Sequence, residues 1–252
     1  MISFDPKFDR SSHHPHSPRK SFFVEGLSVY HQHHEILKDL SFGVEQGRIL
    51  SVMGPNGGGK TTLFQTLAGI KKVHAGHWGW MTPEGEKKAL EMGDWAYLPQ
   101  RFHGDRSFPL RVSEFLHISC PALDAVSIKG LLAMVKLENY MNARIQSLSE
   151  GQFQRLLFAR LCAYPTPLIF LDEPFSGLDE TIIDDLLDII QTWKKQGRII
   201  LLSHHNRSRA LTHFPDTLLL AREKYAYGPS HEILKPELWQ SCHDSICRPE
   251  CC

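Results

Sequence analysis

Three observations predict an α/β fold for this chain, with a parallel-sheet core, an antiparallel β subdomain and an inserted α-helical subdomain. A short apolar strand at 48–53 runs straight into a glycine-rich loop and a helix. A second apolar run, Leu168–Leu171, ends in Asp172-Glu173 and is followed by a helical stripe and another apolar strand. The block between those two strands has helical apolar spacing.

Each element has its own signal. Phe22–Tyr30 and 36–44 read as two antiparallel segments, and Gln46-Gly47 marks the turn into the strand at 48–53. A helix is predicted from Lys60 to about Ala68, closing at Gly69. Residues 71–98 read as short strands and turns. From about Arg101 to Ala163 the pattern is helical: Leu131, Leu132, Val135 and Leu137 form one face, and Phe153, Leu156, Leu157 and Leu161 another. Pro165 and Pro167 end that block. Ile182, Ile183, Leu186, Leu187, Ile190 and Trp193 trace a helix stripe with Gly197 placed to cap it, and a strand is expected at 198–202.

Bulk properties narrow the function classes. The 252 residues suit one large domain or a core domain with an insertion. Lys plus Arg and Asp plus Glu are equal at 28 each, so a general basic surface for nucleic acid is not indicated. No apolar run approaches the roughly 20 residues of a bilayer helix. Met1–Lys20 has no apolar signal region, so a cytosolic protein that reaches a membrane only through a partner is expected. Six cysteines, four of them crowded after position 241, argue against a disulfide framework in that compartment.

The motifs carry the chemistry. Gly54-Pro55-Asn56-Gly57-Gly58-Gly59-Lys60-Thr61-Thr62 fits the P-loop pattern, in which inward backbone N–H groups and a helix N-terminus cradle phosphates. Lys60 is then expected to reach the β- and γ-phosphates of ATP, with the Thr61 hydroxyl on Mg²⁺. Asp172 and Glu173 fall at the C-terminal edge of a buried strand, where ligands sit in open parallel sheets. Asp172 is expected to hold Mg²⁺ through water, and Glu173 to orient or deprotonate the attacking water.

The third motif is Leu148-Ser149-Glu150-Gly151-Gln152, opening the helix that carries Arg155. With it the chain resembles the ATP-binding cassette (ABC) ATPases from Phe22 to about Ser230. The family signature is Leu-Ser-Gly-Gly-Gln, so Glu150 stands where the first glycine is usual. The resemblance implies a P-loop NTPase (RecA-like) core. It assigns Ser149 and Gly151 to the γ-phosphate of a partner's nucleotide, with Gln152 also binding that nucleotide. Tyr30 resembles the aromatic that stacks on adenine, against the competing reading of a plain edge-strand tyrosine. Gln100 resembles the glutamine that senses Mg²⁺, and Ser176-Gly177-Leu178-Asp179 the loop that crosses the dimer interface. His204 resembles the switch histidine; it is preferred to His205 because Ser203 precedes it directly after the strand. The implied organisation is a disordered His/Pro/Ser-rich tail at 1–20, an ATPase domain at 21–230 with a helical subdomain at about 101–163, and a Cys-rich tail at 231–252.

The resemblance also implies an ATP sandwich between two copies of the chain. A long coiled coil between Gln100 and the signature would mark a DNA-repair head, but only 48 positions separate Gln100 from Leu148 and no heptad run appears. One cassette per chain disfavours a translation factor. The expected role is an ATP hydrolase at the cytoplasmic face of the inner membrane. It would power permease subunits that receive cargo from an extracytoplasmic binding protein. Tyr97-Leu98-Pro99-Gln100-Arg101-Phe102, Asp105 and Phe108-Pro109-Leu110-Arg111-Val112 are similar to the zinc and manganese importer ATPases, and zinc is the expected cargo. His13, His14, His16, His31, His33, His34 and the Cys242, His243, Cys247, Cys251, Cys252 group suit Zn²⁺ loosely. Their spacing matches no standard structural zinc site, so they are not assigned as one.

Overall fold

The computed structural model describes residues 20–32, 34–100, 109–164 and 166–244. In chain order the elements are β1 (Ser21–His31), β2 (His34–Glu45), β3 (Ile49–Met53), α1 (Lys60–Leu67), β4 (Ala75–Met81), β5 (Lys87–Lys88), β6 (Trp95–Leu98), α2 (Val112–Ser119) and α3 (Ala125–Met134). They continue as α4 (Glu150–Ala163), β7 (Leu168–Leu171), α5 (Glu180–Lys195), β8 (Ile199–Ser203), α6 (Arg207–His213), β9 (Asp216–Ala221), β10 (Lys224–Pro229), α7 (Ser230–Ile233) and α8 (Pro236–Asp244). Expectations for the tail at 1–19, for His33, 101–108 and Pro165, and for Cys247, Cys251 and Cys252 fall outside the described residues.

The chain divides into two compact units, Met1–Leu90 with His205–Cys252, and Glu91–His204. In the first, β2, β1, β4 and β5 form an antiparallel sheet. Phe22 packs edge-on against Phe42 and Trp80 in its core. The same unit holds β3, parallel to β9, with β10 antiparallel on the other side of β9. All five residues of β3 are buried, as an apolar strand covered on both faces requires. Tyr225 donates to the Asp39 carbonyl at 3.3 Å and Tyr227 to the Gly43 carbonyl, tying β10 to β2.

In the second unit β6, β7 and β8 are parallel neighbours, and every residue of β7 and β8 is buried. On α5, Ile183, Leu186, Leu187, Ile190 and Trp193 are buried, as the stripe predicts. The helix ends in a Schellman motif: Gly197, at φ 83°, donates to Lys194 O, and Arg198 donates to Trp193 O.

The face expected over Leu131–Leu137 is only partly a helix face. α3 stops at Met134, and Val135 and Leu137 are buried beyond its end. The stop is the same motif without its usual residue. Lys136 takes the left-handed conformation at φ 57°, its N–H donates to Ala133 O, and Leu137 N–H donates to Leu132 O at 2.7 Å. With no glycine there, the helix end was invisible in the sequence.

The structure adds strands β9 and β10 and the helices α6 to α8 to the elements predicted from the sequence. Two of these helices, α7 and α8, lie in the segment read as a Cys-rich tail.

Candidate functional site

The P-loop joins β3 to α1 in the first unit. Gly54 sits at φ 141°, and a Cβ there would come within 2.0 Å of the Leu220 carbonyl oxygen on β9. A Cβ on Gly58 would come within 2.9 Å of both Leu220 O and Pro55 O. Backbone packs where side chains would stand, so these two positions admit only glycine. Arg222 N–H donates to Gly58 O at 3.1 Å and Gly58 N–H to Pro55 O at 3.0 Å, which fixes the curl.

Gly59 is the N-cap of α1 and offers no side chain to the first-turn amides, and no acidic residue stands in that turn. That is the arrangement in which a helix start accepts an anion. Lys60 is only 6% exposed, and its ammonium donates to Gly54 O at 2.8 Å and Pro55 O at 3.1 Å. Asn56 and Gly57 are exposed at the loop tip, and Pro55, Thr61 and Thr62 are half-buried. Lys71 donates weakly to Thr62 Oγ1 at 3.5 Å.

Tyr30 is in the same unit, near the end of β1, and is 38% exposed. Its hydroxyl donates to Glu35 Oε1 at 3.0 Å. Accepting that bond, Glu35 raises the phenol above its ordinary pKa, with smaller contributions from desolvation and the same carboxylate's charge.

The second unit holds a connected carboxylate cluster. Asp172, 1% exposed, follows β7, and its N–H donates to Leu98 O at 2.9 Å. Ser203, the last residue of β8, donates from Oγ to Asp172 Oδ1 at 2.7 Å. Ser203 Oγ in turn accepts from Glu173 N–H at 2.8 Å. Glu173 sits at φ 47°, a left-handed conformation that non-glycine residues adopt at a cost of about 1–2 kcal/mol. Gln100 Nε2 donates to Glu173 Oε2 at 2.8 Å, so the side chain is held as well. Tyr97 lies beside Asp172, and its phenol is pushed up, first by burial and then by that carboxylate. His204 directly follows the cluster and is buried at 3% exposure, whereas His205 is exposed.

Ser149 is the N-cap of α4 and closes a reciprocal box. Gln152 N–H donates to Ser149 Oγ at 3.2 Å, and Ser149 N–H donates to Gln152 Oε1 at 2.9 Å. Two signature positions therefore also define the helix start, worth about 1 kcal/mol to it. Gly151 is buried, and Glu150 is exposed in the first turn, where a carboxylate complements the helix dipole. Gln154 Nε2 donates to Pro174 O at 3.0 Å and Arg155 pairs with Asp185 at 2.5 Å, so α4 is tied to the segment that follows Glu173.

The structure thus joins Gln100 to Glu173 directly and Glu173 to Asp172 through Ser203, and puts Ser149 with Gln152. Ser203, read in the sequence only as a marker for His204, is the hub of the carboxylate cluster. A serine closing a buried apolar strand was its signal. Leu220 carries none, being one of three consecutive leucines in β9. Among the described residues no group of three or more His, Cys, Asp or Glu is placed to hold a metal ion. No described helix is long and apolar enough to cross a membrane.

The family described as ABC transporter matches residues 37–176. The manganese transport system ATP-binding protein MntB of Halalkalibacterium halodurans is 32% identical over 231 residues, covering 85% of this chain and 88% of that protein. The protein of the same name from Bacillus subtilis is 28% identical over 230 residues, covering 87% of this chain and 91% of its own length. A solved ABC transporter, described as of metal-chelate type and in an inward-facing conformation, superposes with a TM-score of 0.75 at 26% identity over 89% of each chain. By the family match and by similarity over most of its length, this chain belongs to the ABC transporter family, as one of its α/β ATP-binding cassettes.

Proposed function

We propose that this chain is the ATP-hydrolysing subunit of an importer for a divalent metal ion. One observation carries the ATPase part: the glycine-built P-loop occurs in the same chain as the Ser149-capped helix and the Ser203-centred carboxylate cluster. A P-loop alone belongs to many unrelated machines. The other two elements belong with this family's hydrolysis chemistry.

In this reading Lys60 exchanges the carbonyls of Gly54 and Pro55 for phosphate oxygens, while the first amides of α1 cradle the same phosphates. Tyr30 stacks on the adenine. The oxygen donors Thr61, Asp172 and Gln100 suit Mg²⁺, a hard cation that neutralises phosphate charge when bound. Glu173 orients the attacking water or takes its proton, with Gln100 fixing its carboxylate. His204 contacts the γ-phosphate. Ser149, Gly151 and Gln152 serve the nucleotide of a second copy, so that ATP closes a homodimer and hydrolysis reopens it. The subunit works at the cytoplasmic face of the membrane, held there by permease subunits, with an extracytoplasmic binding protein as an indirect partner and no role for nucleic acid.

The metal cargo is supported by relatives named for manganese transport that align over most of their length. Zinc, the cargo expected from the residues around and after Gln100, gains no support from those names. Manganese is therefore the first reading and zinc the second. The test is a strain lacking the gene, grown under chelation. Rescue by added manganese at concentrations where zinc fails supports the first reading, and the reverse supports the second. Equal growth of mutant and parent under chelation of both metals would sink the metal reading.

A further inference from the structure

From the geometry around Tyr30 we infer that Glu35 and His74 are positioning residues that preset the Tyr30 ring as a platform for the base of ATP. The inference rests on the reading of Tyr30 as the base-stacking aromatic. Three separate contacts hold this one residue, two at the ring and one at its backbone. Glu35, opposite Tyr30 in the β1–β2 register, accepts from its hydroxyl at 3.0 Å. His74 Nδ1 accepts from the Tyr30 backbone N–H at 3.1 Å. The His74 ring meets the Tyr30 ring edge to face, with centroids 5.1 Å apart.

Each clamp is itself anchored. The Glu35 side chain is only 15% exposed and lies 3.6 Å from the Lys38 ammonium, which also reaches Glu223 at 3.8 Å. The His74 backbone N–H donates to Ser28 O at 3.1 Å, so the imidazole is fixed to β1 two residues before the tyrosine. The β1–β2 register shifts between Val29 and Tyr30. A bulge of that kind re-aims one side chain out of the regular alternation. An exposed tyrosine at a strand end ordinarily samples several rotamers, and ordering it costs a ligand part of its binding free energy. Here the sheet has already met that cost. With its hydroxyl already bonded to Glu35, the ring offers a π surface rather than a hydrogen-bonding group, so the platform recognises a flat base by stacking.

The test compares two probes on the full chain: MgATP, which has a base, and magnesium tripolyphosphate, which does not. Tyr30→Ala is expected to weaken MgATP about tenfold, the scale of one base–aromatic stack. Glu35→Ala, Tyr30→Phe and His74→Leu are expected to weaken MgATP about threefold to fivefold each, the scale of one lost hydrogen bond. All four variants should bind tripolyphosphate like wild type, Glu35→Gln should recover most of the MgATP affinity, and Tyr30→Ala/Glu35→Ala should be no weaker than Tyr30→Ala alone. If Tyr30→Ala spares MgATP, or weakens both probes alike, the base-stacking reading of Tyr30 fails. If Tyr30→Ala acts on MgATP alone while Glu35→Ala and His74→Leu leave it unchanged, or weaken both probes together, Tyr30 keeps its role and the positioning inference is overturned.

Discussion

Ser203→Ala should damage both stability and turnover, because one hydroxyl serves two consecutive residues of the carboxylate cluster. Ser203 is fully buried, donates to Asp172 Oδ1 at 2.7 Å and accepts from Glu173 N–H at 2.8 Å. Deleting a single oxygen opens almost no cavity, so the effect is electrostatic. A buried carboxylate oxygen left without this donor costs about 1–3 kcal/mol, and the lost acceptor for the Glu173 N–H about 1 more. The sum, roughly 3 kcal/mol, corresponds to a drop in Tm of about 10 °C for a chain of this size. Turnover should fall about tenfold or more, since the backbone anchor that holds Glu173 at φ 47° is gone and each 1.4 kcal/mol in the barrier is a factor of ten. Thermal melts and MgATP hydrolysis of Ser203→Ala, Asp172→Asn and the double variant measure both effects. The double variant should be less destabilised than the two singles added together, because the same contact is removed twice. A Ser203→Ala protein that melts within a degree of wild type and keeps its turnover refutes the hub.

Three further outcomes follow from the site and the fold. Lys60→Ala should cut hydrolysis by at least about 100-fold, the scale of losing a preorganised charge at a transferring phosphoryl group; a purified variant with wild-type turnover removes the P-loop reading. Glu173→Gln should trap an ATP-bound dimer visible as an earlier peak in sizing chromatography with ATP, and a monomer with and without ATP counts against the sandwich for the isolated chain. Tyr227 is pushed up to about 12, first by burial and next by Asp216. Its folded form holds the proton more tightly than the unfolded chain does. The stability it contributes is therefore present below pH 10 and is lost as pH rises from about 10 to 12. Tyr227→Phe should flatten that part of a denaturant-stability profile against pH, and an unchanged slope would show that another group governs it.

How much of this was legible in the sequence depends on how local each signal is. The P-loop, the acids after β7 and the Gly197 helix end are written in consecutive residues whose side chains or backbone freedom do the work. The signature is local too, and the Ser149–Gln152 box explains part of its spacing: an N-cap acceptor needs a partner three residues on. Where a residue departs from its usual role, the local signal fails. Lys136 occupies a left-handed position that a glycine would mark, so the apolar spacing continues past the end of α3.

The remaining features depend on residues distant in the chain. Gly54 and Gly58 look like ordinary loop glycines until Leu220, more than 150 positions later, presses its carbonyl against them. Glu35 is five residues from Tyr30 but reaches it across a hairpin, and His74 is 44 residues away. Ser203 meets Asp172 only because β7 and β8 run parallel in register, Leu171 beside Leu202. In each case the motif residue was readable and its support was not, because support comes from strand pairing that the sequence records only as buried apolar runs. This asymmetry has a physical basis. A reacting group is restricted to a few chemical types, whereas the group that holds it need only present a donor, an acceptor or a bare backbone at the right place, which many sequences can supply. Ser203 is the clearest instance: its chemistry is generic, and its position at the end of β8, one residue before His204, makes it matter.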